Sequence, residues 1–358
     1  MKKKICLILA LLIGIGAMSA CSDGGKKGGS DGTSASDGAE SDSSKQSNTR
    51  ELFAMDTYMT ITAYGEKYEQ ALDEAEKEIK RLDDVFSVGK SGSEVSKLNK
   101  ERSGEVSEDM ASVLETAIWL YENTKGAYDF TLYGLMDLWG FTGDAQAVPK
   151  DEDIKKVLES CGFGKSIYLY GRLTLRKGQG IDFGGIVKGY ASSRVMDIFK
   201  KYGIKSGVVS LGGNVQCLGH KEDGSRWRCG IINPDDPDNT SDLMGVVSVS
   251  DKAVITSGGY ERYFTEKGKK YHHIMNPQTG YPAQSGLKSV TIVSDNGTLA
   301  DGLSTACYVM GFDNSVEFWK KNKSQFQMIL IDDDNKMYVT DGLKGFFSSD
   351  KKYTYIQG

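Results

Sequence analysis

Strand-like and helix-like segments intermix along this chain without a regular strand–helix–strand rhythm, which predicts an α+β fold. Two further observations agree. Short apolar runs are separated by Gly and Asp turns, and the 43 glycines against 5 prolines supply many tight turns. A hydrophobic share of 39% with 26% charged residues excludes both a wholly disordered chain and a multi-span membrane protein. The 358 residues suit one large domain or about two. A net charge of −5 argues against a nucleic-acid binder, which normally carries a basic face.

Taken in order, the N-terminus reads as an export signal. Lys2, Lys3 and Lys4 precede an apolar run over residues 5–20, shorter than the ~20 residues a membrane span needs. It stops at Met18-Ser19-Ala20-Cys21, which resembles a bacterial lipobox with Met in place of Leu. That predicts lipidation of Cys21, with residues 1–20 removed as a signal peptide and the protein anchored on the extracytoplasmic face of the cell membrane. Residues 22–50 hold Gly, Ser, Asp, Lys and Thr but no aromatic and no Val, Ile or Leu, so residues 21–50 read as a lipidated flexible tether. Folding is expected from Glu51, with a catalytic body over residues 51–358.

Within the body, residues 52–63 alternate as one strand and residues 66–85 have helical spacing. Ser107 is placed to cap a helix running to Lys125, with Glu108 and Asp109 in its first turn. Residues 167–176 read as a hairpin turning at Gly171, and a helix is expected from after Gly185 to about Tyr202. Short strands follow at residues 208–210, 227–232, 246–249 and 289–294. Helices at 298–310 and 315–323 and a closing hairpin at 327–340 complete the pattern. With Cys6 in the signal and Cys21 lipidated, Cys161, Cys217, Cys229 and Cys307 remain. No CxxC pair exists for zinc; Cys217 and Cys229 are either a disulfide across a hairpin or small buried hydrophobes.

Three segments carry chemistry. In Asp182-Phe183-Gly184-Gly185-Ile186-Val187-Lys188-Gly189, two glycines precede a helix with a lysine one turn in. Such a turn admits a phosphate to free helix N–H groups, and also occurs as an ordinary strand-to-helix connection. It is not a Walker loop. In Asp301-Gly302-Leu303-Ser304-Thr305, Asp301 and Thr305 share one helical face, a hard oxygen pair suited to Mg²⁺; the alternative is that Asp301 stabilises a helix start while Thr305 packs. The third is His272-His273-Ile274 before a Pro/Gly turn. Neighbouring histidines on a strand face opposite ways, so they do not chelate one metal, but one of them suits proton transfer.

The chain resembles the bacterial FAD:protein FMN transferases, the ApbE-like flavin transferases, over about residues 52–342. The likeness is carried by Met55-Asp56-Thr57, Phe86-Ser87, Ser93 to Asn99, Gly126-Ala127-Tyr128-Asp129-Phe130-Thr131 and Leu138-Trp139-Gly140-Phe141. It continues through the Asp182 to Ala191 segment, Ser210-Leu211-Gly212-Gly213-Asn214, Thr256-Ser257-Gly258, Tyr260-Glu261-Arg262, His273 to Gly280 and Ala300 to Thr305. The resemblance implies one large catalytic domain of T-fold-related mixed sheets with packed helices. It implies transfer of FMN from FAD onto a Ser or Thr of an extracytoplasmic redox protein, with Mg²⁺ and release of AMP. By motif, Asp301, Thr305, the Gly185 carbonyl and Ser304 are implied metal ligands, and Lys188 meets the pyrophosphate. Met55, Ala127, Tyr128, Asp129, Asp182 and Ile274 line the flavin nucleotide pocket, and His273 stands at the family's histidine, a candidate catalytic residue with Asp301.

The residue types make sense together: a dication and a helix-end lysine stabilise charge on a reacting pyrophosphate, and the partner supplies the nucleophilic hydroxyl. Two departures stand out. Gly89 occupies a place where the family often has tyrosine, and Gly302 one where a bulkier small residue is common. Gly89 keeps a second activity in view, hydrolysis of FAD to FMN and AMP; a third reading is a lipid-anchored flavin or solute binder without catalysis. Residues 31–36, Asp-Gly-Thr-Ser-Ala-Ser, fall one residue short of an acceptor motif for self-flavinylation.

Overall fold

The computed structural model describes residues 47–143 and 145–358. The expected signal segment, Cys21 and the 31–36 stretch lie outside the described residues. The chain opens with the antiparallel pair β1 (Ser47–Ala54) and β2 (Thr57–Tyr64). The single strand expected over 52–63 is therefore a hairpin. Met55 and Asp56 hold φ of 49° and 58°, the left-handed pair of a primed two-residue turn. Met-Asp carries none of the Asn-Gly signal that normally marks such a turn, so the alternation ran straight through it. β1 also begins ahead of Glu51, inside the stretch read as tether.

Next come α1 (Tyr68–Phe86), which buries Ala71, Leu72, Ala75, Ile79, Leu82 and Phe86 at three- and four-residue steps, and α2 (Glu94–Glu101), capped by Ser93. After β3 (Ser103–Glu105), α3 (Glu108–Asn123) starts as expected at Ser107, whose Oγ accepts from Met110 N–H. Short helices α4 (Tyr133–Leu138) and α5 (Asp151–Leu158) precede the expected hairpin β4 (Ile167–Leu169) and β5 (Arg172–Thr174), which joins β3 in a small sheet. Then follow α6 (Val187–Lys201), the hairpin β6 (Ser206–Leu211) and β7 (Asn214–Leu218), the pair β8 (Trp227–Ile232) and β9 (Leu243–Val249), and β10 (Ala253–Gly258). The two-stranded β11 (Tyr263–Glu266) and β12 (Lys269–His272) lead to β13 (Leu287–Ser294) and α7 (Gly297–Asn322). Gly311 interrupts α7 with φ of 76°, so its halves coincide with the two helices expected there. β14 (Phe326–Asp332), β15 (Met337–Thr340), β16 (Phe347–Ser348) and β17 (Tyr353–Ile356) close the chain.

Nine strands form the central sheet in the order β1-β2-β6-β7-β10-β13-β14-β15-β17, antiparallel except for the last pair. Successive residues face opposite ways, so Val209 and Ile255 meet the helices while Val208 and Val254 meet the three-stranded sheet β16-β9-β8. The result is three layers: helices, central sheet, small sheet. The fold class is α+β, as expected. Each fully buried Leu or Ile contributes roughly 1.5–3 kcal/mol to holding the layers together. Cys217 and Cys229 lie between the two sheets as free thiols with Sγ atoms 3.9 Å apart.

Candidate active site

The loop ahead of α6 is pinned from a distance. Asn99 donates to the Ile181 carbonyl at 2.9 Å and accepts from its N–H at 2.7 Å. Asp182 N–H donates to Phe130 O, and Asp182 Oδ1 accepts from Gly184 N–H at 2.7 Å. This fixes the two glycines before the helix. The first-turn N–H groups of α6 lack intrahelical partners, and Gly189 N–H donates to Asp301 Oδ2 at 2.8 Å. A carboxylate held against a helix N-terminus is favoured by the helix dipole as well as by the hydrogen bond. Asp301 thus performs the helix-stabilising role considered for it, but on α6 rather than on its own helix.

Close approach of α6 and α7 makes that bond. A Cβ on Gly189 would stand 2.2 Å from Gly297 O and 2.6 Å from Asp301 Cβ, so only glycine admits the crossing. Gly185 lies against the next turn of α7: a Cβ there would meet Thr305 Oγ1 at 3.2 Å and Tyr128 Cε2 at 3.5 Å. Gly185, Asp301 and Thr305 are therefore neighbours although sequence separates them widely. Ser304 turns inward. Its buried Oγ donates to the Asp301 carbonyl at 2.7 Å and bonds Ser257 Oγ at 2.7 Å, and Ser257 Oγ lies 3.4 Å from Thr305 Oγ1.

Negative charge gathers here. Burial, and then the fields of Asp301, Asp182 and Asp129, push the buried Tyr128 hydroxyl well above its ordinary value, so it stays protonated. Burial also raises the Asp182 and Asp129 carboxyls; Gly184 N–H draws Asp182 back, and the Thr131 hydroxyl and N–H draw Asp129 back. Among the described residues no three His, Cys, Asp or Glu side chains converge as metal ligands. The available donors are one carboxylate, a hydroxyl and a main-chain carbonyl. That all-oxygen set, cradled by a glycine whose Cβ would crowd it, fits Mg²⁺, which keeps few protein ligands and retains water and phosphate.

Lys188 projects back over the loop, its Nζ 3.4 Å from Gly184 O, and its charge reaches Asp182, Glu261 and His273. The β1–β2 turn bearing Met55 comes close enough for Asp56 to act on Asp182. Ala127, Tyr128 and Asp129 form one loop after α3, with Ala127 N–H donating to Thr124 O.

The adjacent histidines separate cleanly. His272 accepts from Ile274 N–H at Nδ1, so its Nε2–H donates to Ala283 O at 3.0 Å; both nitrogens are spent holding the turn. His273 Nδ1 lies 3.1 Å from Arg262 O, a pure acceptor, so Nδ1 carries the proton and Nε2 the open lone pair. Burial, then Arg262, hold its pKa well below the usual range, which keeps the imidazole neutral. Ile274 is buried beside it.

Glu261 was given no role by the sequence, and no local pattern could have assigned one, because its environment is made by remote segments. Burial lifts its carboxyl to about 7 against the fields of Lys188 and Arg262, with Asp301 adding to the rise. It stands at the rim of a cleft of about 450 Å³ reaching Ser210, Gly213 and Ile232. Thr256 lines that cleft while its neighbour Ser257 bonds Ser304, so the cleft occupies the sheet face opposite Asp301.

Relatives share this design. The ApbE family model matches residues 55–330. The FAD:protein FMN transferase of Treponema pallidum is 32% identical over 265 residues, covering 68% of this chain and 72% of that protein. The enzyme of the same name from Vibrio cholerae is 32% identical over 284 residues, 77% of this chain and 84% of that one. The crystal structure of the ApbE protein from Thermotoga maritima superposes with a TM-score of 0.79 at 32% identity, covering 84% of this chain and 99% of that one. The flavin transferase ApbE from Vibrio cholerae gives 0.75 at 26% identity, covering 84% and 100%. With most of its length matched and the glycine-lined meeting of α6 and α7 in place, the chain belongs to the ApbE family.

Proposed function

We propose that this protein transfers FMN from FAD to a Ser or Thr hydroxyl of a partner protein, releasing AMP. The observation that carries the reading is the meeting of Gly185, Asp301 and Thr305 at the N-terminus of α6, beside Lys188. In the reaction the acceptor oxygen bonds to the FMN phosphorus, the bridging P–O bond breaks, and AMP leaves with the electron pair. A Mg²⁺ held by Asp301, Thr305 and the Gly185 carbonyl supplies Lewis-acid stabilisation of charge on the phosphate oxygens.

The chain's own groups do the rest. Gly189 N–H locks Asp301 Oδ2, which presents Oδ1 outward, and Ser304 with Ser257 buttresses the turn that carries Thr305. Lys188 adds a mobile positive charge for the pyrophosphate. The protonated Tyr128 hydroxyl and the walls formed by Met55, Ala127, Asp129, Asp182 and Ile274 orient the nucleotide. Neutral His273 offers Nε2 to the acceptor's proton, which suits a general base.

The partners are proposed to be extracytoplasmic redox proteins carrying a flavinylation motif, met by an enzyme lipid-anchored through Cys21. Gly89 favours a second activity: it is exposed, and a Cβ there would touch only Ser87 Oγ at 3.9 Å, so no side chain fills the place of the family's aromatic. Water entering there gives FAD pyrophosphatase activity. One assay tests both: FAD and Mg²⁺ with and without acceptor, following AMP and covalent flavin fluorescence. Label on the acceptor supports transfer, AMP without label supports hydrolysis, and FAD binding without AMP overturns both.

A further inference from the structure

The β4–β5 hairpin is apolar on the wrong side for a free surface. Ile167 and Leu169 are 62% and 57% exposed, and Tyr170 at the tip is 95% exposed, while Tyr168 and Leu173 pack inward as alternation requires. β4 is also the outer strand of its small sheet. The charge pattern is equally one-sided. Residues 162–177 contain Lys165, Arg172, Arg176 and Lys177 and no Asp or Glu, in a chain whose net charge is −5. All four cations are exposed, and the hydrogen-bond partners of two of them are neutral: Lys165 Nζ donates to the Glu159 carbonyl, and Arg172 Nε to Ser103 Oγ.

We propose that this hairpin docks the folded body onto an anionic lipid surface. Aromatic and aliphatic side chains at a tip settle at the headgroup level, and flanking Arg and Lys lay their stems along apolar surface while their heads reach lipid phosphates. A protein partner would more typically bring carboxylates to matched positions with some acidic counterparts in the patch; an acid-free basic rim around an apolar point matches a sheet of phosphates. Each cation near an anionic bilayer is worth about fivefold in affinity, so Arg172, Arg176 and Lys177 together are worth roughly a hundredfold. The proposal rests on the hairpin and does not need a lipid on Cys21.

The test uses the full chain with Cys21→Ser, so that no acyl group contributes, and Tyr170→Trp as a local reporter. Emission at position 170 and its quenching by acrylamide are read against the Cys21→Ser parent. Vesicles of mixed phosphatidylcholine and phosphatidylglycerol are expected to shift the emission blue and protect the indole, and pure phosphatidylcholine is not. Arg172→Gln, Arg176→Gln and Lys177→Gln together raise the half-saturating lipid concentration roughly a hundredfold. Vesicles that bind the chain yet leave position 170 equally quenchable assign binding to the N-terminal apolar run and overturn the proposal. An equal shift on neutral lipid, or protection by a partner protein alone, overturns it as well. Should the reporter disturb folding, seen as a changed melting curve, loss of co-sedimentation on Ile167→Ser with Leu169→Ser makes the same test, and retained co-sedimentation has the same negative force.

Discussion

Replacing Gly189 by alanine probes whether the α6–α7 crossing sets the active site. The added methyl would sit 2.2 Å from Gly297 O and 2.6 Å from Asp301 Cβ, and the first of these is backbone that cannot rotate away. Restoring ordinary contact requires the helices to part by about 1 Å, an overpacking strain of about 1–3 kcal/mol. Stretching the Gly189 N–H to Asp301 bond removes about 1.5–3 kcal/mol more, and the better helix propensity of alanine returns about 1 kcal/mol. The net loss is about 2–4 kcal/mol, read from the urea midpoint at constant slope. Because Asp301 moves with α7 while Gly185 and Lys188 stay with α6, AMP release from FAD is expected to fall about a hundredfold, the usual effect of a 1 Å misplacement. Gly302→Ala is the control. Its methyl would meet Leu120 Cδ1 at 2.2 Å, the end of a side chain able to turn aside, so stability drops by about 1–2 kcal/mol while turnover persists. A folded Gly189→Ala protein that releases AMP within twofold of the parent refutes the idea that the crossing aligns the reacting groups.

Asp301→Ala is expected to abolish AMP release and the Mg²⁺-dependent rise in melting temperature while circular dichroism stays native; persistent turnover shows that another group holds the cation. His273→Ala is expected to lower kcat by about 10²–10⁴-fold with FAD affinity little changed, whereas His272→Ala, which loses two structural hydrogen bonds, destabilises by roughly 1–3 kcal/mol. Since the folded environment depresses the His273 pKa, the acid limb of kcat is expected below 6.5; a limb at or above 6.5 contradicts a buried neutral base. By linkage the same depression favours the unfolded state as pH falls under 6.5. Glu261 has the opposite sign: its carboxyl is raised to about 7 in the fold from 4.5, so the apoprotein loses stability as pH rises between those values. Glu261→Gln removes that slope and stabilises the apoprotein at pH 8 by roughly 2–3 kcal/mol; an unchanged pH–stability curve rules out the buried acid.

Much of the helical framework was legible because it rests on local rules. Ser107 capping α3, the glycine pair before α6 and the i, i+4 spacing of Asp301 and Thr305 all appear where the sequence puts them. Other parts depend on contacts that no window of residues contains. The Asn99 clamp on Ile181 spans 82 positions, and the parallel pairing of β15 with β17 has no turn signature. The Met55-Asp56 turn hides because its residues tolerate positive φ only under tertiary constraint. Ser304 was grouped with the metal donors from its place beside Thr305; its hydroxyl orientation emerges only when β10 brings Ser257 alongside.

β1 has a consequence for how the reactive end is presented. Its eight residues separate Ser47 from the Met55 turn by about 26 Å at ordinary strand rise. Whatever precedes Ser47 is thus fastened at the blunt end of a rigid spar whose other end meets the nucleotide. Such a leash sets distance from its mooring but leaves heading free, so a second foothold elsewhere on the body is what would aim the business end at its clients.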